Sequence, residues 1–411
     1  MTTIAAPPVT GHERGTPGYR RLGAALWCAG VATFLLVYAP QALLPTLAAE
    51  FGISSSVSSL ALAATTGTLA LAVVPLAGVA ERWGRTRTMT VALTASAVLG
   101  VLAPLAPTFG ALVAVRALQG VTIAALPALL MAHVTREVAP RWLGGAVGMV
   151  IAGNTLGGLS GRLVAGFVGE VGGWRLALAV VGGLSLLATA AFRLLLPPPV
   201  APDAALPPAP VRLHLADPAL RALIGIGFLN MAVFVTVYNF LSFRLLAPPF
   251  SVPGELVGLV FLGYLLGTAA STAAGRLGDR YGRRTVLWAA LLVGLAGALV
   301  TLPDALPLVL LGVVGVTVGF FAAHSVASGF VGRRAALLPG ASPARASALY
   351  VLGYYAGSSI GGVLGGVAFD LGGWPALVGY VVVLLLAALG LALHLRRVPA
   401  VAAARDGMQR C

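Results

Sequence analysis

The sequence predicts an all-α polytopic membrane protein, with twelve transmembrane helices in two pseudo-symmetric six-helix bundles. Of its 411 residues, 59% are apolar and only 9% are charged, whereas about a quarter of the residues in a soluble protein are charged. Apolar runs of about 20 residues, the length that spans a bilayer, recur along the chain. They lack the short alternating segments of a membrane barrel. Because lipid cannot satisfy backbone polar groups, the spans are expected to be helices.

The twelve apolar runs fall into two sets of six, separated by a Pro-rich break. The first set is 22–45, 58–79, 89–106, 108–132, 143–168 and 175–196. The second set is 220–246, 255–275, 285–303, 305–331, 344–369 and 375–396. The first run is too long for a signal-peptide core, so we expect it to remain as a span.

The break at 197–219 is dense in proline, which favours an extended, semi-rigid linker without a core. It therefore divides the predicted domains into an N-terminal bundle, 1–196, and a C-terminal bundle, 220–411. The two halves repeat with a period of about 200 residues. The sequence Gly-Gly-Trp occurs at 172–174 and again at 372–374.

The distribution of arginine predicts the orientation. The net charge is +14, and the 26 basic residues are all arginine. If both termini are cytoplasmic, most of them lie on the inside, and only Arg175 and Arg244 lie outside. We therefore expect a multi-pass protein of the bacterial inner membrane with cytoplasmic termini, a monomer, and not a nucleic-acid binder. Cys28 and Cys411 have no metal-site spacing, and we expect no metal or cofactor.

A charged, glycine-punctuated loop recurs in both halves. Residues 275–284 read GRLGDRYGRR, and residues 78–87 read GVAERWGRTR, where glutamate replaces the aspartate. This pattern resembles the loop motif of the major facilitator superfamily of secondary transporters, which implies a charge network that closes the cytoplasmic side. The alternative is a simple positive-inside loop. The candidate gating residues are Gly78, Glu81, Arg82, Gly84, Arg85, Gly275, Asp279, Arg280, Gly282 and Arg283.

Two further expectations concern the loop. Asp279 is expected to accept hydrogen bonds from free N–H groups at a helix start, where the helix dipole favours an anion. The arginines are expected to anchor the loop at anionic headgroups.

Polar residues inside the spans are candidates for the transport pathway. Residues 116–120 read RALQG and resemble a superfamily motif linked to proton coupling; the alternative is a structural arginine bonded to helix carbonyls. A charged side chain at such a depth costs about 2.5–3.5 kcal/mol on insertion scales, so it needs a partner or a wet cavity. His324 is either a packing residue or a group that titrates at physiological pH. The pathway candidates are Arg116, Gln119, Asn154, Arg162, His324, Tyr38, Gln41, Tyr238, Asn239, Tyr350 and Tyr354.

Three segments narrow the resemblance to one branch. They read GNTLGGLSGR at 153–162, FFAAHSVAS at 320–328 and LYVLGYYAGSSI at 349–360, and they resemble the bacterial acriflavine-sensitivity (YnfM-like) branch of drug:proton antiporters. Gly153, Gly157 and Gly161 lie four residues apart, on one helix face, and permit close helix contact. The resemblance implies proton-driven export of small organic compounds.

The distribution of charge leaves two other hypotheses open. The ionisable groups placed deep in spans are Arg116, Arg162 and His324, with no acid among them, which suits an anionic or neutral substrate. An organic-anion uniporter or symporter is therefore an alternative. Ser160 and His324 also raise the remote possibility of an intramembrane serine hydrolase, although we expect that the protein is not an enzyme.

Overall fold

The computed structural model describes residues 11–200 and 210–399, without the side chains of 77–82. Within these residues the structure is helical, apart from one isolated bridge between His12 and Val138. The helices up to residue 200 are α1 Pro17–Tyr38, α2 Leu44–Phe51, α3 Ser55–Ser58, α4 Leu60–Trp83, α5 Arg85–Leu102, α6 Phe109–Ile123, α7 Leu126–Glu137 and α8 Leu143–Leu195. Those from residue 210 are α9 Val211–Ala216, α10 Pro218–Leu246, α11 Gly254–Val257, α12 Gly263–Tyr281, α13 Arg283–Val300, α14 Leu306–Ala336 and α15 Pro343–Arg397.

The predicted twelve spans are confirmed in number. In the described residues, nine continuous helical stretches are long and apolar enough to cross a membrane, and α4 contributes a shorter apolar segment. Two of the nine, α8 and α15, each contain two predicted spans. Their helices break at Gly172–Gly173 and at Gly372–Gly373. At both breaks the second glycine has a positive φ (75° and 61°), which L side chains rarely adopt.

Several predicted spans are shorter than the helices that contain them. The first predicted span, 22–45, is part of a helical stretch that covers Pro17–Phe51, and the span predicted at 255–275 extends to Tyr281. The extra residues include charged side chains at the helix ends, and they continue the helix beyond the apolar run.

The chain packs as two compact units. The first comprises the described residues of Met1–Thr46 and Leu71–Leu206, and the second comprises Leu47–Ala70 with the described residues of Pro207–Cys411. Leu47–Ala70 packs with the second unit through α15: the Ser359 hydroxyl donates to the Ala63 carbonyl (2.8 Å), and the Ser56 N–H donates to the Asp370 carboxylate (3.2 Å). The division into bundles 1–196 and 220–411 remains a prediction.

Glycine seams hold the first unit together. A Cβ on Gly157 would lie 2.6 Å from the Val31 carbonyl oxygen, and one on Gly161 would lie equally close to the Leu35 oxygen. The backbones of α1 and α8 therefore touch along the face that the glycine spacing predicts. In the second unit, Gly357 meets the backbone of Phe228 in the same way. Each unit thus contains the same type of closely packed helix pair, α1 with α8 and α10 with α15.

Candidate functional site

Arg116 binds the end of the first helix. It lies on α6, is 2% exposed, and donates to the Leu36 and Val37 carbonyls at 2.9 Å each. Because α1 ends at Tyr38 and continues as a 3-10 turn, those carbonyls belong to its last turn, where intrahelical donors run out. Arg116 also donates to the Gln119 amide oxygen (2.6 Å), whose nitrogen donates to the Ser96 carbonyl (3.2 Å). The RALQG motif therefore joins α6 to α1 and α5.

Arg162 forms a second buried cationic centre in the same unit. Its Nε donates to the Gln41 side chain at 2.6 Å, and its Nη1 donates to the Gly158 carbonyl at 2.7 Å. The guanidinium lies 4.1 Å from the centroid of the Tyr38 ring, within the range of a cation–π contact. Arg162, Gln41 and Tyr38 are all buried. Three predicted pathway residues are thus brought together.

Asn154 lies elsewhere on α8. It is half-buried opposite Gly30 of α1, where a Cβ would lie 2.5 Å from the Asn154 amide oxygen. Asn154 therefore belongs to the glycine seam between α1 and α8, and the contacts that define the Arg162 centre do not include it.

His324 lies in an aromatic cluster in the second unit. Its Nδ1 is 3.0 Å from the Tyr350 hydroxyl, and its ring centroid is 4.8 Å from that of Tyr354. The His324 ring also stacks parallel to Phe320, with an interplanar angle of 7°. The three predicted residues of α14 and α15 therefore form one group.

Tyr238 and Asn239 extend the polar groups of this unit along α10. The Tyr238 hydroxyl is fully buried and 2.8 Å from the Thr317 hydroxyl. Asn239 is 1% exposed and lies near Gly362. Asn230 on the same helix was not predicted as a polar contact, and it donates to the Phe320 carbonyl (3.1 Å). An asparagine within an apolar run is the signal that could have identified it.

The loop around Asp279 differs from the expectation. Asp279 lies in the last turn of α12, and its carboxylate accepts a hydrogen bond from Arg283 (2.7 Å), so it does not cap α13. Gly282 precedes α13, and no side chain caps that helix start. Arg283 lies four residues further on, across the Gly282 turn, and its guanidinium reaches back to this carboxylate. Arg333 of α14 is 3.9 Å from the same carboxylate.

The two loop copies share one turn geometry. Gly84 and Gly282, each directly before a helix, have φ values of 82° and 86°. Arg85 follows Gly84 and donates to the Ala132 carbonyl (3.4 Å). Arg280 stacks over Tyr281, and Gly275 has open space around it. Gly78, Glu81 and Arg82 lie outside the described side chains, so their predicted roles stay predictions.

The segment before α1 is fixed to the end of α7. The His12 N–H donates to the Glu137 carbonyl (2.6 Å), and Glu13 accepts from Arg141 (3.0 Å) and the Trp142 indole (2.9 Å). These hydrogen bonds, the one from Arg141 above all, lower the pKa of Glu13. The carboxylate is therefore kept ionised at this surface.

A buried ion pair at the start of α10 was missed. Arg334 donates to the Asp217 carboxylate through Nε (3.2 Å) and Nη2 (2.7 Å), and both side chains are less than a tenth exposed. Asp217 also caps α10 by accepting from the Leu220 N–H (2.9 Å). The Asp-Pro pair at 217–218 is a recognisable helix-start signal, but its partner lies 117 residues away.

The comparisons with known proteins agree with this architecture. The model of the Major Facilitator Superfamily matches residues 26–252 and 223–409. The chain is 37% identical to the inner membrane transport protein YnfM of Escherichia coli (strain K12), with 93% of each chain covered. It is 36% identical to the MFS-type transporter YybF of Bacillus subtilis (strain 168), covering 94% of this chain and 96% of the relative.

Two more distant matches are also informative. A chloramphenicol efflux pump of Mycobacterium tuberculosis (strain ATCC 25618 / H37Rv) is 28% identical over 47% of this chain and 48% of its own. Among solved structures, a bacterial homolog of the human lysosomal transporter Spinster, inward-facing and occupied, matches with a TM-score of 0.76 at 17% identity. That match covers 94% of this chain and 98% of the other, and it is evidence for the fold.

Proposed function

The chain belongs to the Major Facilitator Superfamily, and on this premise we propose that it is a proton-linked exporter of small organic compounds. One observation carries the proposal: Arg162, with Gln41 and Tyr38, is buried within predominantly apolar helices. Ionisable groups at such positions are costly, and in transporters they mark substrate and ion pathways. We place the protein in the bacterial inner membrane, where it works by alternating access.

Two relatives support the direction and the location. YnfM is an inner membrane transport protein that matches over nearly its whole length, and the relative that matches over about half of its length is a chloramphenicol efflux pump. Export also agrees with the resemblance of segments 153–162, 320–328 and 349–360 to a drug:proton branch.

His324 is the proposed proton-carrying group. An imidazole is the side chain whose charge changes most readily near neutral pH. Its Nδ1 lies 3.0 Å from the Tyr350 hydroxyl, a polar partner that orients the ring. Gain or loss of a proton at His324 therefore alters a contact between α14 and α15, two helices of one unit.

An organic-anion uniporter or symporter is the second candidate. It is favoured by Arg116 and Arg162, two buried guanidinium groups that carry positive charge. A site of this charge attracts anions and repels cations. The two candidates differ in whether flux follows a pH gradient.

The hydrolase hypothesis has no support in the geometry. The Ser160 hydroxyl donates to the Leu156 carbonyl (2.6 Å) of its own helix, as packing serines commonly do. His324 contacts Tyr350. Ser160→Ala is therefore expected to leave flux close to wild type, measured in the liposome assay below, and covalent capture of Ser160 by a fluorophosphonate probe would contradict this.

Flux into proteoliposomes tests the proposal. A panel of anionic, neutral and cationic compounds is measured with and without an imposed pH gradient. We expect gradient-dependent flux of anionic or neutral compounds, and we expect His324→Ala to uncouple flux from the gradient or to shift its pH optimum. Gradient-independent anion flux would favour the second candidate. Preferred transport of quaternary cations with normal pH dependence in His324→Ala would contradict both parts of the proposal.

A further inference from the structure

A cationic cavity of about 550 Å³ lies between the start of α13 and the end of α14. Four arginines line it, two from each helix end: Arg283 and Arg284, and Arg333 and Arg334. It is separate from the residues of the proposed transport pathway, because the Arg116 and Arg162 centres belong to the other unit and the His324 cluster includes none of these residues.

Two of the four arginines have structural partners. Arg334 is paired with Asp217 and also donates to the Pro399 carbonyl (2.9 Å). Arg284 donates to the Arg396 and Val398 carbonyls (3.2 and 2.7 Å). Both side chains therefore fix the walls of the cavity while adding positive charge to it.

The other two arginines share a single acid. Arg283 contacts the Asp279 carboxylate at 2.7 Å, and Arg333 lies 3.9 Å from the same oxygen. The Arg333 side chain is 68% exposed, so it can turn toward a ligand without breaking a buried contact. Four guanidinium groups thus face two carboxylates, Asp217 and Asp279, and the group keeps a net positive charge.

The remaining wall is apolar. Phe330 is half-buried and Leu337 is 48% exposed, and both line the cavity beside the arginines. Guanidinium groups bind phosphate through paired, charge-assisted hydrogen bonds. An apolar wall next to them suits a ligand that carries hydrocarbon next to its phosphate.

We propose that this cavity binds the phosphate of an anionic phospholipid headgroup. Arg333 and Arg283 contact the phosphate, and Phe330 and Leu337 contact the glycerol and the first methylenes. The proposal goes beyond the transport function and does not depend on it, because binding can be measured without flux. Free phosphate shares the polar half of this chemistry and is distinguished by the test.

Native mass spectrometry of delipidated, detergent-solubilised protein with added phosphatidylglycerol tests the site. Arg333→Gln is expected to weaken phosphatidylglycerol retention about tenfold, the loss of one hydrogen bond to a charged group. Arg193→Gln, which removes an exposed arginine at the end of α8, is the matched control and is expected to behave as wild type. Zwitterionic phosphatidylethanolamine, whose ammonium group is repelled by the net positive charge of the cavity, is expected to be retained more weakly than phosphatidylglycerol by wild type.

Two results would overturn the proposal. Equal retention of phosphatidylglycerol by Arg333→Gln and Arg193→Gln would place lipid binding elsewhere. Displacement of phosphatidylglycerol from wild type by millimolar inorganic phosphate, with no preference for the lipid, would make the cavity a soluble-anion site. Thermal unfolding of both variants in the same detergent shows whether each is folded, so a folding defect cannot be read as lost binding.

Discussion

At the scale of single residues, Arg116 supports structure in a position predicted for coupling. Its bonds to the Leu36 and Val37 carbonyls match the alternative drawn from the sequence, a structural arginine bonded to helix carbonyls. The RALQG pattern identified Arg116 as a candidate but could not identify the groups that it binds, because these acceptors are backbone atoms of a helix about 80 residues earlier. Coupling through Arg116 remains a prediction.

Arg116→Ala is expected to abolish transport and to destabilise the protein. It leaves two buried carbonyls without this donor, at about 1–3 kcal/mol each. Arg116→Lys keeps the charge but cannot reach both carbonyls in the same planar geometry, so we expect intermediate stability. Thermal unfolding and flux, measured together, check this. Full stability of Arg116→Ala with normal flux would contradict both the structural and the coupling role.

At the scale of helices, the glycine seams were predictable because a four-residue spacing fixes a helix face. The sequence could not identify the facing helix, because most spans are apolar over most of their surface and hydrophobic periodicity then indicates no particular direction. For Asp279, the position in the loop could be predicted from the sequence, but the side chain that it contacts could not. That contact depended on the helix ending at Tyr281 and not at the predicted 275.

Gly157→Ala is expected to destabilise the first unit, although alanine is normally the better helix former by about 0.5–1 kcal/mol. The added Cβ would meet the Val31 carbonyl at 2.6 Å, and a backbone atom cannot move aside cheaply. Gly148→Ala, on the same helix with open space around it, is the control and is expected to be neutral or stabilising. Unfolding temperatures in detergent measure the difference between the two variants. Equal shifts would contradict the close backbone contact proposed at Gly157.

Asp279→Asn is expected to reduce flux strongly while leaving expression and stability near wild type. The amide keeps the shape but loses the charge that attracts Arg283 and Arg333, and an exposed ion pair contributes only about 0–1 kcal/mol. Glu81→Gln, in the degenerate copy, is expected to be milder. Flux is measured at matched protein levels. Unchanged flux in both Asp279→Asn and Glu81→Gln would indicate that the loop serves only to orient the chain in the membrane.

At the scale of the whole molecule, length and composition were enough to predict twelve helical spans, because lipid leaves few alternatives to a helix. The packing of Leu47–Ala70 with the second unit was not predictable from them. It depends on side-chain contacts such as Ser56 with Asp370, which join residues more than 300 positions apart. The Asp217–Arg334 pair was missed for the same reason.

The orientation is predicted from the arginine count. In a variant without Cys28 and Cys411, a cysteine at Ala204 is expected to resist an impermeant maleimide in intact cells, whereas one at Ser251 is expected to react. Arginine in cytoplasmic connections is the physical basis. Labelling of both positions after permeabilisation is the control, and the reverse pattern in intact cells would invert the topology.

The pair between Asp217 and Arg334 also bears on the order of synthesis. Asp217 emerges from the ribosome 117 residues before Arg334, a delay of about 6–23 s at 5–20 residues per second. During that interval Asp217 can cap α10 but has no counter-ion from α14, and the carboxylate must stay hydrated. The start of α10 therefore cannot reach its buried position until α14 has been made. The second unit is therefore completed only after residue 334 has been made, and a chain that stalls earlier leaves the Asp217 carboxylate without its buried partner.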